Sequence, residues 1–381
     1  MENLENMRPF GSAFAGRRVL VTGHTGFKGA WLSQWLLSLG AEVTGVSLPP
    51  NTSPSLFVQL GLAKKLRHII GDIQDPAVLA RAVRTAKPDF VFHLAAQALV
   101  RESYKRPLET FSVNAMGTAH LLEALKDFDH PCAAVFITTD KCYENREWHH
   151  GYREVDRLGG HDPYSASKAV AELIISSYRD SFFKEHPVKV ASARAGNVIG
   201  GGDWALDRIV PDCLGALHKK KPIQVRNPGA TRPWQHVLEP LGGYLWLAAM
   251  LAEPKLRRVD LSRLTSAFNF GPDRDANRTV EELVNEILKH WPGKWVDKSD
   301  PKAVHEAGLL QLSTEKAYAL LRWRPVWNFS ETIGQTVDWY RAASPLRGSK
   351  EFEALTQSQI DQYVKRAGEL LLPWVAGKES K

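Results

Sequence analysis

The chain has 381 residues, 44% of them apolar and 24% charged, and carries a formal net charge of +7. This is ordinary globular composition, with length enough for one large two-lobed domain or two modest ones and for a sizeable core. No stretch approaches the roughly 18 consecutive apolar residues of a membrane helix, so no membrane partner is expected.

The opening residues, MENLENMRPFGSAFAGRR, place no apolar run between their charges and a cleavage site, which leads us to expect a soluble cytoplasmic protein. Cys132, Cys142 and Cys213 are scattered and odd in number, in no spacing that suits zinc, so neither structural disulfides nor a metal is expected. A basic surplus suits nucleic acid, an anionic membrane or a small substrate carrying phosphates, and its distribution discriminates among them. The densest runs, Lys219-Lys220-Lys221 and Arg322-Trp323-Arg324, are short and lack regular aromatic interleaving. They read as solvated loops, and no nucleic-acid partner is expected.

Apolar runs alternate with helical patterns from residue 17 to about 195, the pattern of a parallel sheet in an α/β fold. In chain order, strands are predicted at Arg18 to Thr22, Glu42 to Val46, His68 to Ile70, Asp89 to Leu94, Ala133 to Thr138 and Lys189 to Ala193. Between the first two lies a helix over Ala30 to Leu39, stopped by Gly40, and Asp75-Pro76 opens another as cap and first-turn proline. After residue 195 come Gly/Pro-rich connections: GNVIGGGDW, RNPGATRPW and NFGPD. Loops of this kind carry function when a rigid scaffold holds them. Helices at Pro240 to Leu251, Thr279 to His290 and Ser330 to Tyr340 suggest a smaller lobe interleaved with the sheet. The tail from Lys350 to Val375 reads as an amphipathic helix without an assigned role.

The first strand runs into Thr22-Gly23-His24-Thr25-Gly26-Phe27-Lys28-Gly29 and then a helix. Glycines at 23, 26 and 29 permit a tight turn, let backbone N–H groups approach a pyrophosphate and allow close helix packing. This points to a dinucleotide cofactor. Many such sites place an acid at the end of the second strand for the ribose, yet here it reads Val46-Ser47-Leu48-Pro49, with no arginine for a 2′-phosphate either. NAD is expected over NADP. Asp72 is a candidate for the adenine amino group or a plain turn cap, and Leu94-Ala95-Ala96 lets the backbone lie against the cofactor. Tyr164 and Lys168 stand four apart, on one helical face. A phenol with pKa near 10 is a poor base at neutral pH, and an adjacent cation with a positive nicotinamide stabilises its phenolate.

Taken together, the glycine turn, Asp72-Ile73, Leu94-Ala95-Ala96, Asn114 and the Tyr164/Lys168 pair resemble the extended short-chain dehydrogenase/reductases, over roughly residues 15 to 340. The resemblance implies a Rossmann-type doubly wound parallel sheet with a smaller, interleaved C-terminal substrate lobe. It implies NAD bound by Gly23, Thr25, Gly26, Phe27, Gly29, Asp72, Ile73, Leu94, Ala95, Ala96, Tyr164 and Lys168. Within that family, 4,6-dehydratases of nucleotide sugars carry Thr-Asp-Glu after the fifth strand, where this chain has Thr139-Asp140-Lys141. Lysine in place of glutamate, with CYENREW, RAGNVIGGGDW and RPWQHVLEP, resembles the branch acting on CDP-glucose.

That branch implies oxidation at C4 with Tyr164 as base, Thr139 holding the hydroxyl and Lys168 supporting the phenolate. Water is then eliminated across C5 and C6 with Asp140 as acid, and hydride returns to C6. Lys141 is either the C5 base or an electrostatic stabiliser of the enolate. Asn197, Arg208, Arg232 and Asn269 resemble substrate contacts, as do His305 and Glu306 near the nucleotide, and Trp148, Trp204 and Trp234 are expected to pack. The division implied is residues 15–195 with a returning segment at 232–262, a lobe of 196–231 and 263–342, and a helical extension at 343–381. The assembly implied is a homodimer or dimer of dimers. A 4-epimerase would not need Asp140-Lys141, a GDP-mannose dehydratase would keep an acid at 141, and a redox-sensing binding protein would not need Tyr164 with Lys168.

Overall fold

The computed structural model describes residues 7–205, 208–299 and 309–375. Its centre is a seven-stranded parallel sheet. The strands are β1 (Arg18–Thr22), β2 (Glu42–Ser47), β3 (Arg67–Ile70), β4 (Phe90–His93), β5 (Cys132–Ile137), β6 (Val188–Ala195) and β7 (Ala267–Phe270). Their order across the sheet is β7-β6-β5-β4-β1-β2-β3. Both faces are covered, and alternate side chains of one strand serve opposite cores. Val19 and Val21 join one apolar cluster and Leu20 the other, and Ala133, Val135 and Ile137 divide in the same way from Cys132, Ala134 and Phe136.

The six strands expected are present within a residue or two. β7 was not anticipated, because AFNF is too short to show an alternation. It pairs in parallel with β6, from Ala267 opposite Ser192 to Phe270 opposite Ala195. A stretch expected in the smaller lobe is thus part of the sheet.

Helices α1 (Phe27–Ser38), α2 (Pro76–Ala86), α3 (Gly117–Lys126) and α4 (Pro163–Ser181) connect the strands. Helix α5 (Leu238–Ala252) is apolar on nearly every side and buried, as it must be between the sheet and the C-terminal helix. Helix α6 (Val280–His290) begins with a capping box in which Thr279 Oγ1 accepts from Glu282 N at 3.1 Å and Glu282 accepts from Thr279 N at 2.8 Å. Short strands outside the sheet build the smaller lobe, Thr231–Pro233 against Asn277–Thr279 and Ile223–Val225 beside Trp295–Asp297.

The tail acquires a role. Helix α7 (Phe329–Ala343) and α8 (Ser349–Glu369) pack together, and α8 lies along α1. Beyond α8, Trp374 stacks on Phe10 with centroids 5.0 Å apart and meets Trp35 of α1 at 6.3 Å. Both ends of the described chain therefore brace the helix that leaves the glycine turn. Among the described residues no helix is long and apolar enough to cross a membrane.

Candidate active site

Strand order reverses between β1 and β4, and a cleft of about 1240 Å³ opens at the carboxyl ends of the strands there. Single-ligand pockets occupy roughly 300–1,000 Å³, so this cleft has room for two ligands. The glycine turn forms its floor. Gly23 has φ +75°, and a Cβ on it would stand 2.7 Å from Ala95 N, while a Cβ on Gly29 would lie 2.1 Å from Gly23 O. Gly26 differs: its Cβ would meet only Gly23 O, at 3.4 Å, and otherwise face the cleft. Two glycines thus make the turn and the third leaves a cradle. No side chain caps α1, so its first N–H groups are open to an anion.

Neighbouring strands hold the turn in place. Thr25 Oγ1 lies 2.8 Å from Ser47 Oγ and donates to Leu48 O at 2.9 Å, and Ala95 N donates to Thr22 Oγ1 at 3.2 Å. Phe27, Leu94, Ala95 and Ala96 line the cleft, as do Asp72 and Ile73. The Asp72 carboxylate accepts from Gln74 N at 2.9 Å and from Gln74 Nε2 at 3.1 Å, so it shapes its own turn as well. Asn114, buried on a π-helical turn at Ser112–Met116, donates to Gln97 O and Ser167 Oγ and accepts from Gln97 N.

Tyr164 and Lys168 project from the first two turns of α4, whose cap Asp162 accepts from Ser165 N at 2.9 Å. Lys168 Nζ donates to Ile137 O at 3.2 Å, which ties the pair to the end of β5. Burial pushes the Lys168 ammonium down to about 8 and the Tyr164 phenol up to about 12. The Thr139 hydroxyl and Arg208 draw the phenol down, and Asp140 opposes them. Burial wins. The protein by itself thus holds the phenol above its ordinary value.

The one-turn helix Asp140–Cys142 follows β5, with Thr139 as its cap. Thr139 donates to Asp140 Oδ1 at 2.9 Å, and Lys141 Nζ reaches the same oxygen at 3.4 Å and Asn197 Oδ1 at 3.5 Å. Asp140 is fully buried and its Oδ2 has no hydrogen-bond partner. That oxygen points at Gly196, where a Cβ would sit 2.8 Å away. A buried carboxylate oxygen left without a partner calls for an explanation, and this one belongs to a residue that lines the cleft.

Arg208 lies on the cleft wall, bound to Asp203 at 2.9 Å, and Arg232 lines the cleft on its short strand, donating to Thr231 O at 2.9 Å. Asn269 does not line the cleft. It is buried, donating to Tyr152 O at 2.8 Å and Ser313 O at 3.1 Å and accepting from Tyr143 at 2.8 Å, because β7 carries it into the sheet. The expected substrate contact is therefore a fastener between β7 and the segment after β5. His305 and Glu306 lie outside the described residues. Trp204 and Trp234 pack against the larger core and also line the cleft, and Trp148 stacks on Tyr152.

Among the cleft residues for which no role was expected are Asp203, which holds Arg208, and Lys28, quoted only as part of the glycine turn. The signal available for Lys28 was a charged residue inside a turn that buries its neighbours.

The family model described as GDP-mannose 4,6 dehydratase matches residues 20–336. A CDP-glucose 4,6-dehydratase of Salmonella typhimurium is 47% identical over 334 residues, covering 86% of this chain and 91% of that protein. Among solved structures, UDP-glucose 4-epimerase of Thermus thermophilus in complex with NAD superposes with a TM-score of 0.72 at 27% identity, over 86% of this chain and 99% of that one. DesIV, a dTDP-glucose 4,6-dehydratase of Streptomyces venezuelae with NAD and TYD bound, gives 0.72 over 85% and 97%, and at 24% identity it speaks for the fold alone. The cleft at the strand reversal, its glycine floor and these likenesses agree: the chain belongs to the GDP-mannose 4,6-dehydratase family.

Proposed function

We propose that the protein is an NAD-dependent hydro-lyase converting CDP-D-glucose to CDP-4-keto-6-deoxy-D-glucose, a step of deoxysugar biosynthesis. The observation that carries the reading is Asp140, with its unpaired oxygen, set between Thr139 and Lys141 and beside Tyr164 and Lys168. A 4-epimerase needs no such second acid/base pair. Lysine at 141, together with the 47% identical relative named for CDP-glucose, favours CDP-glucose within the family.

The cradle at Gly26 and the uncapped start of α1 fit the pyrophosphate of NAD, with Thr25, Phe27, Asp72, Ile73 and the backbone of Leu94 to Ala96 around the rest. The chemistry bound NAD supplies is reversible two-electron transfer, out of sugar C4 and back into C6. Tyr164 takes the proton of the 4-hydroxyl, Thr139 orients that hydroxyl, and Lys168 supports the phenolate. The resulting ketone acidifies C5. Lys141 receives the C5 proton and its ammonium then steadies the enolate, Asp140 gives a proton to the departing 6-hydroxyl, and the proton on Lys141 returns to C5 as hydride enters C6, so one water leaves with atoms balanced. Asn197, Arg208 and Arg232 are assigned to the substrate, the arginines to its phosphates.

The division we propose keeps residues 15–195 with the returning segment as the cofactor unit, that segment being carried on to Phe270 because β7 belongs to the sheet. The remaining residues to 342 form the substrate lobe. A homodimer is supported by Leu108, Met116, Val170 and Leu173, exposed apolar residues on helices that pack side by side. The decisive experiment uses CDP-glucose deuterated at C4. Product labelled at C6 without net NADH is expected, and NADH accumulating with product would make this an ordinary dehydrogenase.

A further inference from the structure

Lys28 stands in the first turn of α1, directly after the cradle, and lines the cleft. Among the described residues no hydrogen bond or ion pair holds its ammonium, and the ring of Tyr244 on α5 is 5.9 Å away. The charged groups facing it are Arg208 at the start of the lobe helix Ile209–His218, Lys168 from α4, and Lys141 and Asp140 from the turn after β5. Three are cations. The one carboxylate already serves Thr139 and Lys141. With three cations and one shared carboxylate about it, the ammonium is costly until a further anion joins it. Three of these groups, Arg208, Lys141 and Asp140, are assigned above to the nucleotide sugar, so the anion sought is one that the substrate brings.

We propose that Lys28 is a contact for the diphosphate of the nucleotide sugar, an ammonium whose counter-ion is brought by the substrate. The assignment rests on the CDP-glucose reading above. It has a measurable corollary: burial first, then the surrounding cations, pull Lys28 down to about 7. At pH 8 the amine is mostly neutral before substrate arrives, a diphosphate favours its charged form, and binding takes up a proton.

The test is calorimetric titration of the NAD-loaded protein with CDP at pH 8, in two buffers of different ionisation heat. The parent should take up most of a proton more than Lys28→Met does; Lys168 contributes to both proteins and cancels. Lys28→Met should raise KM for CDP-glucose about tenfold or more, the usual effect of losing a charge-assisted contact, without weakening NAD binding, which also reports that the variant is folded. Lys28→Arg, charged throughout this range, should keep KM near the parent's yet lose the extra proton uptake. Equal proton uptake in parent and both variants, or an unchanged KM in Lys28→Met, overturns the assignment alone. A parent that neither binds CDP nor dehydrates CDP-glucose overturns the substrate reading with it.

Discussion

Replacing the three glycines of the first turn one at a time should separate folding from cofactor binding. Gly26 has φ −76° and ψ 170°, an extended conformation open to any residue, and its Cβ would touch only Gly23 O at 3.4 Å. Gly26→Val should therefore cost no more than about 1 kcal/mol of stability, the range of a changed helix cap, while its methyl groups fill the space of the pyrophosphate. NAD affinity should fall at least a hundredfold. Gly23→Ala forces a side chain to φ +75°, about 1–2 kcal/mol, and drives Cβ to 2.7 Å from Ala95 N. Gly29→Ala places Cβ 2.1 Å from Gly23 O, which requires backbone movement costing about 1–3 kcal/mol or more. Thermal unfolding should thus be lowered in Gly23→Ala and Gly29→Ala and nearly unchanged in Gly26→Val, with calorimetry of NAD binding showing the opposite ranking for residue 26. Parent-like NAD affinity in Gly26→Val, or a Gly29→Ala protein as stable as the parent, would refute the division of roles.

Two further outcomes follow from the catalytic turn and the buried carboxylates. Lys141→Met should still reduce bound NAD on mixing with CDP-glucose but stall before dehydration, whereas Tyr164→Phe should block the first step; each loss should be about 10²- to 10⁴-fold in its own step, read as rapid-mixing absorbance of NADH. Dehydration by Lys141→Met at the parent rate would reduce the lysine to a bystander. Glu239, buried on α5, accepts from Val326 N, Trp327 N and the Tyr363 hydroxyl, and burial pushes it up to about 7. Since the folded value lies above the unfolded one, its contribution is complete below about pH 4.5 and is lost as pH rises through about 7, on the order of 3 kcal/mol. Glu239→Gln should flatten that decline in Tm between pH 5 and 8, and a variant whose Tm falls in parallel with the parent's would exclude Glu239 as its source.

Much of the fold was legible in the chain because its signals are contiguous. Strands buried on both faces read as apolar runs, glycines punctuate the first turn, and a four-residue spacing on a helix is enough to pair Tyr164 with Lys168. The tertiary structure alone decided how those signals are used. β7, four residues long, owes its place to the ladder offered by β6, and that pairing removes Asn269 from the cleft and makes it a buried fastener. The C-terminal helix reads only as amphipathic, since what it braces, α1, lies more than 300 residues earlier in the chain. Lys28 reads in sequence only as part of the glycine turn, and Asp140 is singled out by resemblance, not by spacing. The surroundings of both come from burial and from neighbours on separate elements, and the free energy of a charge depends on what surrounds it in space, which spacing along the chain does not encode.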